Sequence, residues 1–308
     1  MRIVITGSNG LVGRRLVAQL STQGHSVLGL SRGPRRVEGP FEYASVELGD
    51  THTLTTAVER FRPEGIVNCG GMTDVDGCER APVAAYEANV GAVATLCKVS
   101  LSTSAHLVQV STDYVFDGEG TDRASYDVDA VPNPKGVYAL TKHAAEQTIR
   151  ALLPSDQWAI ARTAVVSGWP STGKNNFGYW VISTLEKGQS ATLFRDQWVS
   201  MSHATNVAGM LAELVLKRHS GVWHTCGAEV TDRASFGRRV CERFGFDPAL
   251  ILPTAMANVQ LKSPRPKNSG LSVAKTMQTL EAKPWTVQQI LNELWREKSE
   301  LATKGESA

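Results

Sequence analysis

The sequence predicts an α/β protein: a doubly wound parallel sheet covered by helices on both faces, with a smaller C-terminal lobe. Three observations predict it. The chain opens on an apolar, β-branched run, Met1-Arg-Ile-Val-Ile-Thr6, that passes at once into a glycine turn, Gly7-Ser-Asn-Gly-Leu-Val-Gly13. Strand-like and helix-like patterns then alternate as far as Thr163, which demands right-handed crossovers between parallel strands. Beyond Thr163 the regular alternation fails.

The first stretch reads as strand, tight turn and helix, the helix carried by the spacing of Leu11, Val12, Leu16, Val17 and Leu20. A side chain at Gly7 would obstruct the turn, one at Gly10 would keep the backbone from a pyrophosphate, and one at Gly13 would hold helix and sheet apart. The helix N-terminus offers free N–H groups and a positive dipole end to an anion. Its position between a strand and a helix, more than the glycines themselves, makes this a nucleotide site. The spacing Gly-x-x-Gly-x-x-Gly is one residue different from the Gly-x-Gly-x-x-Gly fingerprint.

His25 to Ser31 is the second strand. NAD-preferring folds place an Asp or Glu at its end to accept from the ribose 2′-OH, whereas this chain has Ser31-Arg32, with Arg35 and Arg36 close behind. Cations suit a 2′-phosphate, so NADP(H) is preferred and NAD(H) still allowed; a solvated basic loop would leave the preference undecided. Tyr43 to Leu48 is the third strand, Thr51 to Phe61 a helix capped by Asp50 or Thr51, and Gly65 to Asn68 the fourth strand. Cys69-Gly-Gly71 has little bulk, which lets a cofactor lie close. A long helix follows from about Val83 to Ser102, on which Asn89 either braces the site or simply faces outward.

His106 to Thr112 is the fifth strand and ends in two hydroxyls. The loop Val131-Pro-Asn-Pro134 leads to a helix from Val137 to about Leu153, and Trp158 to Thr163 is the sixth strand. Then come a Gly/Ser/Pro/Asn loop from Ser167 to Asn176, helices over Phe177–Lys187 and Val207–Lys217, and a strand over Gly221–Cys226. Helices over Thr231–Phe244 and Trp285–Lys298 complete the chain. The expected organisation is a dinucleotide-binding domain over 1–166 plus about 195–228, a substrate lobe over about 167–194 plus 229–298, and a polar tail over 299–308.

Composition narrows the function. At 308 residues and a net charge of +2 with dispersed basic residues, neither nucleic acid nor a membrane surface is an expected partner. The five cysteines are odd in number and lack Cys-x-x-Cys spacing, which argues against disulfides and zinc; no metal is expected. The apolar start lacks the length and flanks of a signal peptide, and no stretch approaches the roughly 20 apolar residues that span a bilayer. A cytoplasmic protein is expected.

Tyr138 and Lys142 lie four apart on a predicted helix, so both side chains reach one ligand. A tyrosine of ordinary pKa near 10 is a poor acid–base group at neutral pH unless a cation stabilises its phenolate. Lys142 supplies that cation and can also hold the nicotinamide ribose. Thr112, at a strand's C-terminal edge, can donate to a carbonyl oxygen as charge develops there.

Glycine turn, Ser111-Thr112 and Tyr138-x-x-x-Lys142 occur in the order of the extended short-chain dehydrogenase/reductases, whose sheet is Rossmann-type. Within them the chain resembles the dTDP-4-dehydrorhamnose reductase family over most of its length. Ser111-Thr-Asp-Tyr-Val-Phe-Asp-Gly118 resembles that family's signature, Thr73-Asp-Val-Asp-Gly-Cys-Glu79 its Thr-x-Val-Asp-x-x-Glu stretch, and Arg162-Thr163, Asp196-Gln197 and Arg265-Pro-Lys-Asn-Ser-Gly-Leu271 its later motifs. The resemblance implies that Thr112, Tyr138 and Lys142 are catalytic. It also implies that Gly10, Leu11, Val12, Asp50, Gly70, Gly71, Met72 and Val110 line the cofactor and that Asp113 borders the substrate.

Two departures concern the substrate. The family usually carries a Trp three residues after the Arg of its Arg-Thr pair, where this chain has Val165, with Trp169 four residues later. Its Asp-Gln-x-Gly-x-Pro-Thr run appears here as Asp196-Gln-Trp-Val-Ser-Met-Ser202. On the family plan the substrate lies between Thr112 and the segment from Val165 through Asn176 to Phe177, with Arg265 meeting a diphosphate or serving only as a structural arginine. The leading expectation is an NADPH-dependent reductase of a keto group on a nucleotide-linked sugar, compatible with a homodimer. An epimerase or dehydratase that retains NAD, and a cofactor-binding regulatory subunit like that of methionine adenosyltransferase, are the alternatives.

Overall fold

The computed structural model describes residues 1–119, 125–170 and 175–303. Parts of the loop expected at Ser167 to Asn176 and of the polar tail, residues 171–174 and 304–308, lie outside the described residues.

The first half runs β1 (Arg2–Thr6), α1 (Gly13–Thr22), β2 (Ser26–Ser31), β3 (Glu42–Ser45), α2 (Thr51–Phe61), β4 (Gly65–Asn68), α3 (Val75–Arg80), α4 (Pro82–Tyr86), α5 (Ala92–Thr103), β5 (His106–Thr112), α6 (Val137–Leu152) and β6 (Trp158–Thr163). The second half runs β7 (Val166–Ser167), α7 (Phe177–Glu186), β8 (Ala191–Phe194), β9 (Trp198–Ser200), β10 (Ser202–His203), α8 (Ala204–Leu216), β11 (Gly221–His224), β12 (Val230–Asp232), α9 (Arg233–Phe244), β13 (Ile251–Thr254), α10 (Ala274–Thr279) and α11 (Val287–Thr303).

Seven strands form one parallel sheet in the order β3-β2-β1-β4-β5-β6-β11. The order reverses between β1 and β4, which opens a crevice at their C-terminal ends. Ile3, Val4 and Ile5 are all fully buried, as a central strand covered on both faces requires. Leu16, Val17 and Leu20 of α1 pack on one face with Val207, Leu211 and Leu214 of α8. Leu54 and Val58 of α2, Val93 and Leu96 of α5, and Ile149 of α6 pack on the other. Burying each such side chain stabilises the fold by about 1.5–3 kcal/mol.

The expected third strand is cut short. Pairing stops at Ser45 because β2 ends at Ser31, whose carbonyl accepts the last bond from the Val46 N–H at 3.0 Å. The long helix expected from Val83 does run on in helical backbone from Pro82 to Thr103. It contains a π turn over Glu87–Gly91, and α3 precedes it unforeseen.

In the second half, β7 pairs with β10 and β8 with β13 in parallel, while β9 pairs with β12 antiparallel. Residues 195–203, expected with the large sheet, are therefore built into these small pairings; α8 and β11 return to it. Strands of two to four residues carry too little periodicity to be read from sequence. A separate core joins Val181 and Ile182 of α7, Phe236 and Val240 of α9, Ile290 and Leu294 of α11, and Trp169. The helix expected from Thr231 starts at Arg233, because Asp232 caps it by accepting from the Ser235 N–H at 2.8 Å. Residues of α10 lie against β11, where Lys275 donates to the Val222 carbonyl at 2.9 Å. Among the described residues no helix is long and apolar enough to cross a membrane.

Candidate active site

The glycine turn lies at the mouth of the crevice. Gly7 has φ +64°, and a Cβ there would sit 2.8 Å from the Cys69 carbonyl oxygen. At Gly13 a Cβ would sit 2.2 Å from the Gly7 carbonyl oxygen, so this glycine permits the turn to close on itself instead of spacing helix from sheet. Gly10 is exposed, as close approach of a ligand needs. The backbone N–H groups of Leu11 and Val12 have no partner among the described residues, while the helical ladder begins with Arg14 N–H to Gly10 O. Two unsatisfied donors and a bare glycine could hold a phosphate.

Beside it, the Asn9 side chain ties β2's exit together. Its amide donates to the Pro34 carbonyl at 3.0 Å and to the Tyr43 hydroxyl at 3.1 Å, and it accepts from the Arg36 N–H at 3.0 Å. Ser31 Oγ accepts from the Asn9 N–H at 3.4 Å. The three basic residues then separate by role. Arg35 stacks on Phe41, its Cζ 3.9 Å from the ring centroid, and donates to the Val37 and Phe41 carbonyls, so it shapes the loop. Arg32 and Arg36 are exposed, and their guanidinium groups have no partner among the described residues. Asp50 caps α2, accepting from the Thr53 N–H at 3.0 Å and hydroxyl at 2.6 Å, and these bonds hold its carboxyl below the usual range.

Across the crevice, a Cβ on Gly70 would collide with Leu48, and one on Gly71, at φ +150°, with Asn89. Asn89 lies in the π turn and is buried. It accepts from the Met72 N–H at 2.8 Å and donates to the Met72 carbonyl at 3.1 Å and to the Thr141 hydroxyl at 3.0 Å. It therefore braces the 70–72 backbone against α6, the helix of Tyr138 and Lys142.

Lys142 is buried and donates to the Val110 carbonyl at 2.6 Å. Burial lowers its pKa to about 8, against the opposing pull of Glu146. Tyr138 is half-buried beside it, with its phenol pushed above the ordinary value by burial. Thr112 Oγ1 donates to Asp113 Oδ1 at 3.0 Å and accepts from the Tyr114 N–H at 3.2 Å. The threonine proton thus points to Asp113, whose other oxygen accepts from Ser269 at 2.6 Å. Burial raises the Asp113 carboxyl to about 6.

Beneath these residues lies a buried ion pair that sequence reasoning did not find. Arg162 Nε and Nη2 donate to the two Glu146 oxygens at 3.0 and 2.8 Å, and Ser111 Oγ donates to Glu146 at 2.6 Å. Both side chains are at most 1% exposed. The fork locks α6 to the ends of β5 and β6 and so fixes where Tyr138 and Lys142 stand.

The residues expected on the substrate side are less uniform. Val165 follows the end of β6, which is paired to Thr112 through Thr163. Its φ of +36° is a strained conformation for a β-branched residue. Asn176 caps α7 through the Tyr179 N–H at 3.1 Å and donates to the Gly168 carbonyl at 2.7 Å, which occupies its amide within the protein. Trp169 is buried in the third core, and its N–H donates to Glu297 at 2.7 Å, so it does not stand in for the missing Trp. Arg265 pairs with both oxygens of Asp76, at 3.1 and 3.2 Å. Arg233 lies with its guanidinium over the Phe177 ring and donates to Gln197, and no local motif announces it.

His203, Glu293 and Glu297 come within 4.8 Å of one another. Glu297 is already held by His203, Arg15 and the Trp169 N–H, which together keep its carboxyl at about 2 despite burial. The five cysteines are all unpaired.

A parallel sheet in this order, a glycine turn at its switch point and a Tyr-Lys pair on the helix beside β5 define the class: an extended short-chain dehydrogenase/reductase. The family model described as RmlD substrate binding domain matches residues 1–299, and the chain belongs to that family, that of the dTDP-4-dehydrorhamnose reductases. It is 34% identical to the probable low-salt glycan biosynthesis reductase Agl14 of Haloferax volcanii, over 89% of this chain and 90% of that protein. It is 32% identical to the dTDP-4-dehydrorhamnose reductase of Mycobacterium tuberculosis, over 88% and 84% of the two chains. The crystal structure of a dTDP-4-dehydrorhamnose reductase from Clostridium acetobutylicum superposes with a TM-score of 0.85 at 24% identity, covering 97% of this chain and all of that one.

Proposed function

We propose that the protein reduces a keto group on a nucleotide-linked sugar with NADPH as the preferred hydride source. The observation that carries this reading is the Tyr138–Lys142 pair on α6 beside the end of β5, where Lys142 donates to Val110 and the Tyr138 ring meets Tyr114. Of the readings the sequence leaves open, the reductases named among the relatives favour this one. The cradle at Gly10, Leu11 and Val12 suits a pyrophosphate, and the unpartnered Arg32 suits a 2′-phosphate. Gly70, Gly71 and Met72 leave room on the other wall, and Lys142 is placed to hold the nicotinamide ribose. Bound there, the cofactor supplies the hydride.

The chain's own residues handle the proton. Burial keeps the Tyr138 phenol protonated at neutral pH, which a reductase needs, because the alkoxide formed by hydride addition must receive a proton. Lys142 then stabilises the phenolate left behind. Asp113 and the Tyr114 N–H hold the Thr112 hydroxyl in place at the end of β5. Five unpaired cysteines suit a reducing compartment, and we place the reaction in the cytoplasm.

The test is to mix the purified protein with NADPH or NADH and 4-keto nucleotide sugars and follow loss of reduced-cofactor absorbance. Oxidation that depends on the sugar is expected; none with any such sugar refutes the reading. Arg32→Ala is expected to weaken NADPH binding about tenfold, the size of one charge-assisted hydrogen bond, and NADH binding far less. Equal losses would remove Arg32 from the 2′-phosphate.

The Lys142 value also sets a pH dependence. A lysine is cationic below its pKa and neutral above it, so the catalytically useful form is lost as pH rises through about 8. The kcat/KM for the sugar is expected to fall on that alkaline limb, well below the pH at which an ordinary lysine titrates. A profile level to pH 10 would refute the assignment.

A further inference from the structure

Arg233 is a cation with no ion-pair partner among the described residues. It occupies the first position of α9, where the positive end of the helix dipole opposes it. Its Nε donates to Gln197, a neutral amide, and its Cζ lies 4.4 Å over the Phe177 ring. Among the described residues no carboxylate stands within ion-pair distance of it, in contrast to Arg162, Arg15 and Arg265, which have Glu146, Glu297 and Asp76. Asp113 is the acidic group that acts on it from farther off, and both Asp113 oxygens already accept from Thr112 and Ser269. Half-buried charge without a partner is costly, and proteins retain it where a ligand completes the pair.

The position of this cation is fixed from two sides. Gln197 is buried, and its amide donates to the Pro266 carbonyl at 3.2 Å, so one side chain links Arg233 to the segment that carries Arg265. Phe177 orients the guanidinium plane. Tyr114 feels the charge of both arginines, and its ring meets Tyr138 edge-on with centroids 5.9 Å apart. Tyr114 therefore has the two arginines and Tyr138 as neighbours.

We propose that Arg233 is the residue that reads the diphosphate of the substrate, through the two guanidinium nitrogens that Gln197 leaves unused, while Arg265 is a secondary contact. The sequence offers Arg265 for that task, but its pairing with both oxygens of Asp76 partly neutralises it. Arg233 has the free fork that matches phosphate oxygens in a bidentate contact. This inference rests on the reading of the protein as a nucleotide-sugar reductase.

The test is calorimetric titration of the full chain, with NADP⁺ present, by dTDP, UDP and GDP. Arg233→Ala is expected to weaken whichever diphosphate binds by about ten- to a hundredfold, with NADPH affinity changed less than twofold. Arg233→Lys, which keeps the charge but not the fork, should fall between. Arg265→Ala should cost less than Arg233→Ala. Wild-type diphosphate affinity in Arg233→Ala, or an equal loss of NADPH affinity, overturns the inference and leaves the reductase reading intact. Failure of the wild-type protein to bind any of the three overturns both.

Discussion

Tyr138→Phe is expected to lower turnover by about 10²–10⁴-fold, the usual contribution of a placed general acid, while NADPH affinity stays near that of the wild type. The substitution removes one oxygen and no packing carbon, so the ring keeps its edge contact with Tyr114. Thr112 is still oriented by Asp113 and the Tyr114 N–H, so the site keeps its shape and loses its proton. The measurement is kcat on the turned-over keto sugar beside NADPH binding. Retention of more than about a third of wild-type turnover would take the proton donor elsewhere.

Glu146→Ala is expected to give the largest loss of stability. Arg162 would remain as a buried guanidinium without its carboxylate, and breaking such a pair from one side costs about 3–5 kcal/mol. For a chain of this size that is a fall in Tm of roughly 5–8 °C. Thermal melts of Glu146→Ala and of the double variant Glu146→Leu with Arg162→Met distinguish the cause. The double variant should recover most of the loss, since both charges are gone; equal melting of the two variants would show that the ion pair is not what matters. Removing Glu146 also takes away a charge that holds Lys142 protonated, so the alkaline limb should move to lower pH.

The framework was legible where local patterns and long-range structure agree. The strands Gly65–Asn68, His106–Thr112 and Trp158–Thr163 and the helix Thr51–Phe61 stand where their apolar runs and turn residues place them. Helix α3 was missed because Gly77 lies in its middle and weakens the pattern, although a Cβ there would strike Asp74. Tyr138, Lys142 and Thr112 could be found because they lie in one motif and one strand end. The Glu146–Arg162 fork and Arg233 could not. Each acquires meaning from a partner that only tertiary packing brings near, and an arginine without its surroundings reads as an ordinary surface charge. Val165 marks a different limit: a strained φ at a β-branched residue leaves no trace in the composition around it.

The π turn at Glu87–Gly91 has a consequence for how this chain can change. It holds one more residue than an α-helical turn would, and each residue of a helix turns the chain by about 100°. A deletion of a single residue there would let the segment relax to a plain α-helix without breaking its ladder, and secondary structure and bulk stability would hardly register it. The helix on either side of the deletion would keep its phase, because the π turn fits its extra residue into the same full turn, so α5 would keep its apolar face on the sheet. What would go is the bulge that carries Asn89, and with it the reach of that side chain to Met72 and Thr141 together. The extra residue sets the position of one side chain without disturbing its helix, and its loss would separate a folded chain from an organised active site.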